Sequence, residues 1–238
     1  MSNFQFTRPD RFPPVVKNLV IINVLVFIAQ LVFEKDFVLT DKLALYPVDA
    51  PEFKPYQIAT HMFSHSPQLI FHIVFNMFAL WMFGRILENV WGAKRFLFFY
   101  LVCGVGAAAL HLLIQHLRYD PELVAQFTKA YYEGDNAYMD SLISKLGFMA
   151  PAVGASGAIM GIMAAFAYLF PNTQLYIMPF PFPVKAKWAV LGFAAIDLFG
   201  GVAKISGDNI AHFAHLGGAL TGFLLVLYWN KTNRKTLY

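Results

Sequence analysis

The chain has 238 residues, of which 58% are hydrophobic and only 13% charged, whereas roughly 25% of the residues in a typical soluble domain are charged. These charges are too few to coat a soluble core, and they fall in clusters separated by long apolar stretches, which is typical of membrane proteins. The net charge of +4 would also suit nucleic acid, but the distribution of the charges along the chain explains it better. We therefore expect no nucleic-acid partner. The single cysteine, Cys103, excludes an intrachain disulfide.

Six apolar stretches follow one another along the chain, and most are near the ~20 residues that a helix needs to cross a bilayer. In chain order they cover 18–33, 67–84, 96–117, 152–170, 187–203 and 210–229, and we call them the first to the sixth span. The alternation expected of a membrane β-barrel is absent from the sequence. The sequence therefore predicts an all-α, polytopic membrane protein with six transmembrane helices.

The segments between the spans divide into a basic and an acidic set. Most lysines and arginines lie in the N-terminal tail, loop 85–95, loop 171–186 and the C-terminal tail, whereas loops 34–66 and 118–151 are rich in carboxylates. By the positive-inside rule, both termini are predicted to be cytoplasmic and the acidic loops to face outward. Because residues 1–17 show no transit-peptide pattern, we expect a bacterial plasma membrane, also called the inner membrane.

Polar and ionisable side chains inside the spans are costly, so each is a functional-site hypothesis. The second span carries His72 and Asn76, and the sixth carries His212 and His215. The spacing of four and of three residues places each pair on one helix face. Ser156 lies just inside the start of the fourth span. Each has an ordinary alternative, because a helical serine often bonds the carbonyl one turn back and Asn or His can hold membrane helices together.

The depth of these residues favours a shared site. The second, fourth and sixth spans all enter the membrane from the outside, and His72, Ser156 and His215 lie roughly 6–9 Å inside their outer ends at about 1.5 Å per residue. We expect the three groups to meet in one pocket. A serine in contact with a histidine is an activated nucleophile, and nearby donors can hold an oxyanion.

The run VGASGAIMG, residues 153–161, has two interpretations. A Gly-x-Ser-x-Gly segment can present a nucleophile on a sharp turn, and the GxxxG pairs Gly157/Gly161 and Gly218/Gly222 can be packing seams between membrane helices. A soluble hydrolase elbow needs a preceding strand, but a Pro-containing loop, LGFMAPAV, precedes this serine. Ser156 is thus predicted at a helix N-terminus, where unpaired amides favour negative charge.

Four further titratable residues need an interpretation. Asp197 on the fifth span lies at a depth compatible with the site, and the sequence leaves open whether it completes a triad or bonds a neighbouring backbone group or serine. His65, His111 and His116 are expected to be loop or interfacial residues. No set of ligands has the spacing and shared depth that zinc requires, so we predict no metal site.

With these residues assembled, the chain resembles the rhomboid family of intramembrane serine proteases. GASGAIMG is similar to the family's serine motif on its fourth helix. HFAHLGGALTG resembles the sixth-helix motif, in which glycines follow the histidine after three and seven residues, and this spacing selects His215 over His212. HMFSHSPQLIFHIVFNMFALWMFG and LENVWGAKRFLFFYLVCG resemble the second-helix block and its continuation into the third helix.

The resemblance implies a hydrolase with a catalytic dyad and no cofactor. Ser156 would be the nucleophile and His215 the general base, and the Ser156 amide, His72 and Asn76 would form the oxyanion hole. The implied residues that shape or pack near this site are Gly154, Gly157, Gly218, Gly222 and Met160, the last at a position that is often aromatic in the family. The first outer loop reads PYQIAT where the family commonly has a Trp-Arg pair.

The resemblance also implies a domain organisation and a substrate class. A six-helix rhomboid core would cover 18–229, with an extended outer loop at 118–151, between a cytoplasmic tail at 1–17 and a basic cytoplasmic tail at 230–238. Substrates would be membrane proteins with a single or unstable helix, cut within the lipid bilayer near its outer face through an acyl-enzyme. The alternative is a catalytically inactive relative that binds membrane clients, whose mark would be the loss of the serine or the histidine. A transporter would predict inverted repeats and broken helices, and the sequence shows neither.

Overall fold

The computed structural model describes residues 9–134, 138, 142, 150–176, 182–203 and 211–232. Its longer helices are α1 (Pro14–Phe37), α2 (Ile70–Trp91), α3 (Ala93–Leu117), α4 (Pro121–Glu133), α5 (Ser156–Leu169), α6 (Ala186–Ala203) and α7 (His212–Thr232). Short helical segments, Leu39–Leu43, Gln57–Thr60 and the 3₁₀ turn His61–Phe63, connect α1 to α2. Strands β1 (Gln174–Leu175) and β2 (Val184–Lys185) pair antiparallel between α5 and α6.

The six predicted spans correspond to α1, α2, α3, α5, α6 and α7. All of these except α5 are long and apolar enough to cross a membrane, and α5 is a shorter apolar helix of 14 residues. The prediction of an all-α, polytopic membrane protein is therefore confirmed. Helix α4 was not predicted and lies in loop 118–151, and half of the residues in the middle of this loop, YYEGDNAYMDSL, fall outside the described residues.

Helix α5 is the centre of the bundle and packs against α7, α3, α6 and the middle of α2. Every residue from Gly157 to Ala167 is buried, and most are small or unbranched, so neighbouring helices approach on all sides. The helix ends before Pro171, because proline cannot continue it. A helix that is apolar all round is expected at such a buried position.

The faces of α5 and α7 meet backbone to backbone along two glycine pairs. A Cβ added to Gly218 would overlap the carbonyl oxygen of Gly157, and a Cβ at Gly222 would lie 2.5 Å from the carbonyl oxygen of Gly161. Small residues permit this close approach between membrane helices. The seam fixes the position of the start of α7 relative to the start of α5.

Loop 85–95 of the sequence analysis is mostly helical. Helix α2 continues through a π turn at Leu80–Gly84 and ends at Trp91, and α3 begins after Gly92, whose φ of +79° allows a sharp reversal. The charged residues that ended the apolar pattern lie on these helical turns. Both carboxylate oxygens of buried Glu88 accept hydrogen bonds from the amides of Val15 and Val16 at 2.8 Å, so this side chain satisfies the N-terminus of α1.

Candidate active site

The N-terminal ends of α2, α5 and α7 gather the polar residues that the sequence analysis singled out. Ser156 is the first residue of α5, His72 the third of α2 and His215 the fourth of α7. All three side chains are partly buried. Because these helices start at one side of the bundle, the structure brings the residues together as the depth argument predicts.

A hydrogen bond joins the serine and the histidine. Oγ of Ser156 lies 2.8 Å from Nε2 of His215. When Nε2 is unprotonated, it accepts the hydroxyl proton and can take it fully as the serine attacks. His212, the other histidine of the motif, does not make this contact and points to a different partner.

That partner is Asp197 on α6. Its Oδ1 lies 3.0 Å from Nδ1 of His215 and 2.8 Å from Nδ1 of His212. The Asp197 side chain is buried, and a buried carboxylate requires partners of this kind. Of the alternatives left open for Asp197, the structure therefore supports a contact with the site histidine.

His72 faces the serine across a glycine. The amide of Ser66 donates to Nδ1 of His72 at 3.4 Å, which leaves the proton on Nε2 when the ring is neutral. Gly154 has φ +129°, and a Cβ there would lie 2.8 Å from Nε2 of His72 and 3.5 Å from Oγ of Ser156. The absence of a side chain at Gly154 leaves room for a reacting group between the donor and the nucleophile.

Asn76 lies one turn after His72 on the same face of α2 and is buried. Its Nδ2 donates one hydrogen to the carbonyl of His72 at 2.8 Å. An amide nitrogen carries a second hydrogen. The bond to the backbone holds the side chain in place and leaves one hydrogen of the amide nitrogen for another acceptor.

The start of α5 supplies backbone donors. The first intrahelical bond at this end runs from the amide of Ile159 to the carbonyl of Ala155, and the amides ahead of it in an α-helix have no intrahelical acceptor. The loop leading to Ser156 is itself anchored. Leu45 and Ala152 form a two-bond antiparallel bridge at 2.9 Å, and the amide of Gly154 donates to the carbonyl of His61 at 2.9 Å.

The remaining predicted residues surround this arrangement. Met160 is buried one turn after Ser156 on α5, and Gly157, Gly218 and Gly222 belong to the seam with α7. Cβ of Ala107 on α3 would lie 2.5 Å from a Cβ added to Gly157, so α3 supports the seam from behind. Among the described residues, no group of three or more His, Cys, Asp or Glu side chains is arranged to hold a metal ion.

Two histidines expected in loops or at the interface are buried instead. His65 is fully buried and His111 is 7% exposed, whereas His116 is exposed and contacts Asp49 at 2.9 Å. His65 is buried because the segment before α2 folds inward, where Gln30 of α1 bonds both the amide and the carbonyl of His65, and His111 lies on a buried face of α3. Burial, with a contribution from neighbouring His72, lowers the pKa of His65 to about 3. The hydrophobic pattern of the sequence does not indicate that the segment before α2 folds inward.

The predicted site residues described above lie within the part of the chain that matches a known family. The Rhomboid domain family model matches residues 52–231. The chain is 30% identical over 173 residues to Rhomboid protein 1, mitochondrial, of Saccharomyces cerevisiae, which is 73% of this chain and 41% of the relative. It is 32% identical over 167 residues to the human Presenilin-associated rhomboid-like protein, mitochondrial, covering 70% of this chain and 36% of the relative. RHOMBOID-like protein 12, mitochondrial, of Arabidopsis thaliana is 31% identical over 210 residues, covering 86% of this chain and 55% of that protein.

These relatives correct the expected location. Each is named as a mitochondrial protein, and this contradicts the prediction of a bacterial plasma membrane with cytoplasmic termini. The physical reason is that the charge asymmetry of the loops reports the orientation of a chain in its membrane and carries no information on which membrane that is. Residues 1–17 were equally uninformative.

The chain spans between about a third and somewhat over half of the length of these curated relatives. The family match nevertheless covers most of the present sequence, from the segment before α2 to the end of α7. It includes every element that contributes to the site. The protein therefore belongs to the rhomboid family.

Proposed function

We propose that this protein is an intramembrane serine endopeptidase that cleaves transmembrane segments of membrane proteins. The observation that carries the proposal is the 2.8 Å contact between Oγ of Ser156 and Nε2 of His215. Family membership and the apolar helices around the pair support the same reaction class. The names of its relatives favour a mitochondrial membrane as its location.

The proposed reaction begins when His215 takes the proton of Ser156 and the serine oxygen attacks a peptide carbonyl. The negative charge that develops on the carbonyl oxygen is stabilised by the Ser156 amide at the start of α5, by Nε2 of His72 and by the amide of Asn76. His215 then gives its proton to the leaving amine, and water hydrolyses the acyl-enzyme by the reverse sequence. No cofactor takes part in these steps.

The substrates we propose follow from the position of the site. Ser156 opens a helix buried among membrane helices, close to the side of the bundle where α2 and α7 also begin. A peptide bond can reach it only if the substrate is extended there. Unfolding a helix within lipid leaves backbone groups without hydrogen bonds, which is costly. The substrates that can extend most readily are therefore membrane proteins with a single or an unstable helix, cut near that face of the bilayer.

A catalytically inactive binder of membrane clients is the weaker alternative. It would need no serine in contact with a histidine, and it would not require the glycine beside them. Gly154 keeps the space next to Ser156 free at the cost of a φ of +129°. A packing role explains neither feature.

The test is cleavage of a single-span reporter by the purified protein in liposomes. We expect the native protein to cleave and both Ser156→Ala and His215→Ala to lose cleavage while still eluting as folded proteins. His212→Ala is the matched control on the same helix turn and should retain most of the activity. Activity in either of the first two variants would contradict the mechanism, and loss in the control would mean that the wrong histidine is assigned.

A further inference from the structure

Asp197 is the one buried carboxylate of the described part of α6, and the dyad does not account for it. We propose that Asp197 is a positioning residue for the general base, so that this chain works with an Asp197–His215–Ser156 relay in place of an isolated dyad. The proposal rests on the proposed function, because it assigns a role within that same site.

The first support is the chain of contacts. Asp197 Oδ1 lies 3.0 Å from His215 Nδ1, and His215 Nε2 lies 2.8 Å from Ser156 Oγ. A carboxylate at Nδ1 requires the proton there, which leaves the lone pair of Nε2 available for the serine hydroxyl. Without an acceptor at Nδ1, the ring could turn or take the other tautomer, in which Nε2 cannot act as a base.

The second support is the cost of placing this carboxylate. The Asp197 side chain is 9% exposed within a helix whose other inward residues are Ala186, Ala189 and Val190. The flanking residues Ile196, Leu198 and Phe199 are 65%, 52% and 74% exposed and apolar. An ionisable group in such a helix is costly unless it is paired, and both of its observed partners are imidazole nitrogens at the site.

His212 is the second partner and explains how the carboxylate is oriented. It lies on α7 one turn before His215, and its Nδ1 contacts Asp197 Oδ1 at 2.8 Å. A Cβ added to Gly200 would overlap its ring, so the small residue one turn after Asp197 lets α6 approach. We assign His212 to holding Asp197 and His215 to the serine, which gives the two histidines of the motif separate roles.

The proposal predicts a loss of chemistry without a loss of binding. Asp197→Asn keeps the shape of the side chain and removes the charge. We expect kcat for the reporter, and the maximal rate of Ser156 labelling by a fluorophosphonate, to fall on the order of 10- to 1000-fold with KM nearly unchanged. His212→Phe should change both by less than about tenfold, since the serine keeps its base.

Asn23→Ala is the matched control for removing a buried polar group from a membrane helix. Asn23 lies on α1, its Nδ2 donates to the carbonyl of Leu19 on the same helix at 2.8 Å, and its side chain is fully buried. The Asn23→Ala substitution should leave kcat within about threefold of the native value. Equal losses in Asp197→Asn and His212→Phe would overturn the proposal, because the carboxylate would then act through His212. An unchanged kcat, or a rise in KM alone, would also overturn it.

A second measurement does not depend on activity. In ¹⁵N-histidine spectra of the native protein, with His215 identified by the signal missing from His215→Ala, we expect the neutral ring to carry its proton on Nδ1. The opposite tautomer overturns the proposal even if the enzyme is active. Conversely, a native protein that shows this tautomer but neither cleaves nor labels would overturn the proposed protease function while leaving the Asp197–His215 contact intact.

Discussion

Helices α5 and α6 differ in how they hold the polar residue that each contributes to the site. Helix α5 is buried along almost its whole length, and its contact with α7 is a backbone-to-backbone glycine seam. Helix α6 buries only four of its 18 residues and presents large apolar side chains such as Trp188 and Phe199 outward. Ser156 is thus positioned by packing, whereas Asp197 is positioned by hydrogen bonds to the very histidines that it would orient.

The comparison shows that two residues of one site are held in position in two different ways. The distance between Oγ of Ser156 and Nε2 of His215 depends on the tightly packed glycine seam, because a packed interior tolerates little added volume. The distance from base to carboxylate depends on two polar contacts made by a helix that is buried along only one face. Substitutions on the two helices should therefore differ in kind, and four predictions test this difference.

The largest effect is expected at the seam. Gly218→Ala places a methyl group against the carbonyl of Gly157, so α5 and α7 must move apart. Overpacking of this kind costs about 3 kcal/mol of unfolding free energy, and the displaced base should reduce cleavage on the order of 100-fold. Thermal unfolding in detergent and reporter cleavage in liposomes measure the two quantities.

Gly192→Ala on α6 is the control for that experiment. A Cβ at Gly192, inside α6, meets no heavy atom within 4 Å, so the melting temperature should not fall, because alanine favours a helix over glycine, and the cleavage rate should stay at its native value. If the two alanine variants behaved alike, the contrast between a tight seam and a loosely covered α6 would be wrong.

The next effect is expected at Asn76, which belongs to the tightly held side of the site. If its free amide hydrogen contributes to the oxyanion hole, Asn76→Ala should lower kcat on the order of 10- to 1000-fold. The melting temperature should fall only slightly, because the lost bond is the local one to the carbonyl of His72. A kcat equal to that of the native protein would remove Asn76 from the hole and leave the Ser156 amide and His72.

A smaller effect is expected from pH through His65, which lies in the inward-folded segment before α2. Its pKa is about 3 in the folded protein and ~6.5 when unfolded. The folded state therefore favours the neutral ring, so its contribution to stability is complete above pH 6.5 and is lost as the pH falls towards 3. At pH 5 the loss is about 2 kcal/mol.

His65→Gln removes this titration and is the comparison needed to isolate it. Unfolding in mixed micelles at pH 7.5 and pH 5 should show a larger acid-induced loss for the native protein than for the variant. Equal losses in the two proteins would mean that water reaches the ring and that the segment is not packed as described.

The smallest effect is expected where the C-terminal end of α6 contacts α3 and α7. Arg118, after α3, donates to the carbonyl of Gly201 at 3.1 Å and lies over the ring of Phe213 at 4.9 Å. Arg118→Gln should lower the unfolding free energy by about 1 kcal/mol. Labelling of Ser156 should remain close to native, because the seam is untouched. A strong loss of labelling would show that the C-terminal end of α6 controls the site as firmly as the seam does.

The sequence by itself determined the fold class and the family, and it predicted three residues that the structure brings together, His72, Ser156 and His215. Apolar runs of sufficient length require membrane helices whatever their partners are, and the fixed spacing of a helix places His72 with Asn76 and His212 with His215 on shared faces. The glycine pattern also distinguished His215 from His212, and the structure places His215 against Ser156. The spans and the shared helix faces depend on local periodicity, which a single chain displays directly, whereas the family and the choice of His215 depend on the resemblance of the motifs to those of the rhomboid family.

Only the tertiary structure decided what depends on contacts between distant segments. The partners of Asp197 on α7, the inward fold of His65 against Gln30 and the use of Glu88 at the start of α1 each join residues that lie 15 to 73 positions apart. No period in the sequence encodes such pairs, because a buried polar group takes whichever partner the packed helices bring within reach. The contacts of both His212 and His215 with Asp197 therefore depend on where α6 lies, which no local pattern in the sequence specifies.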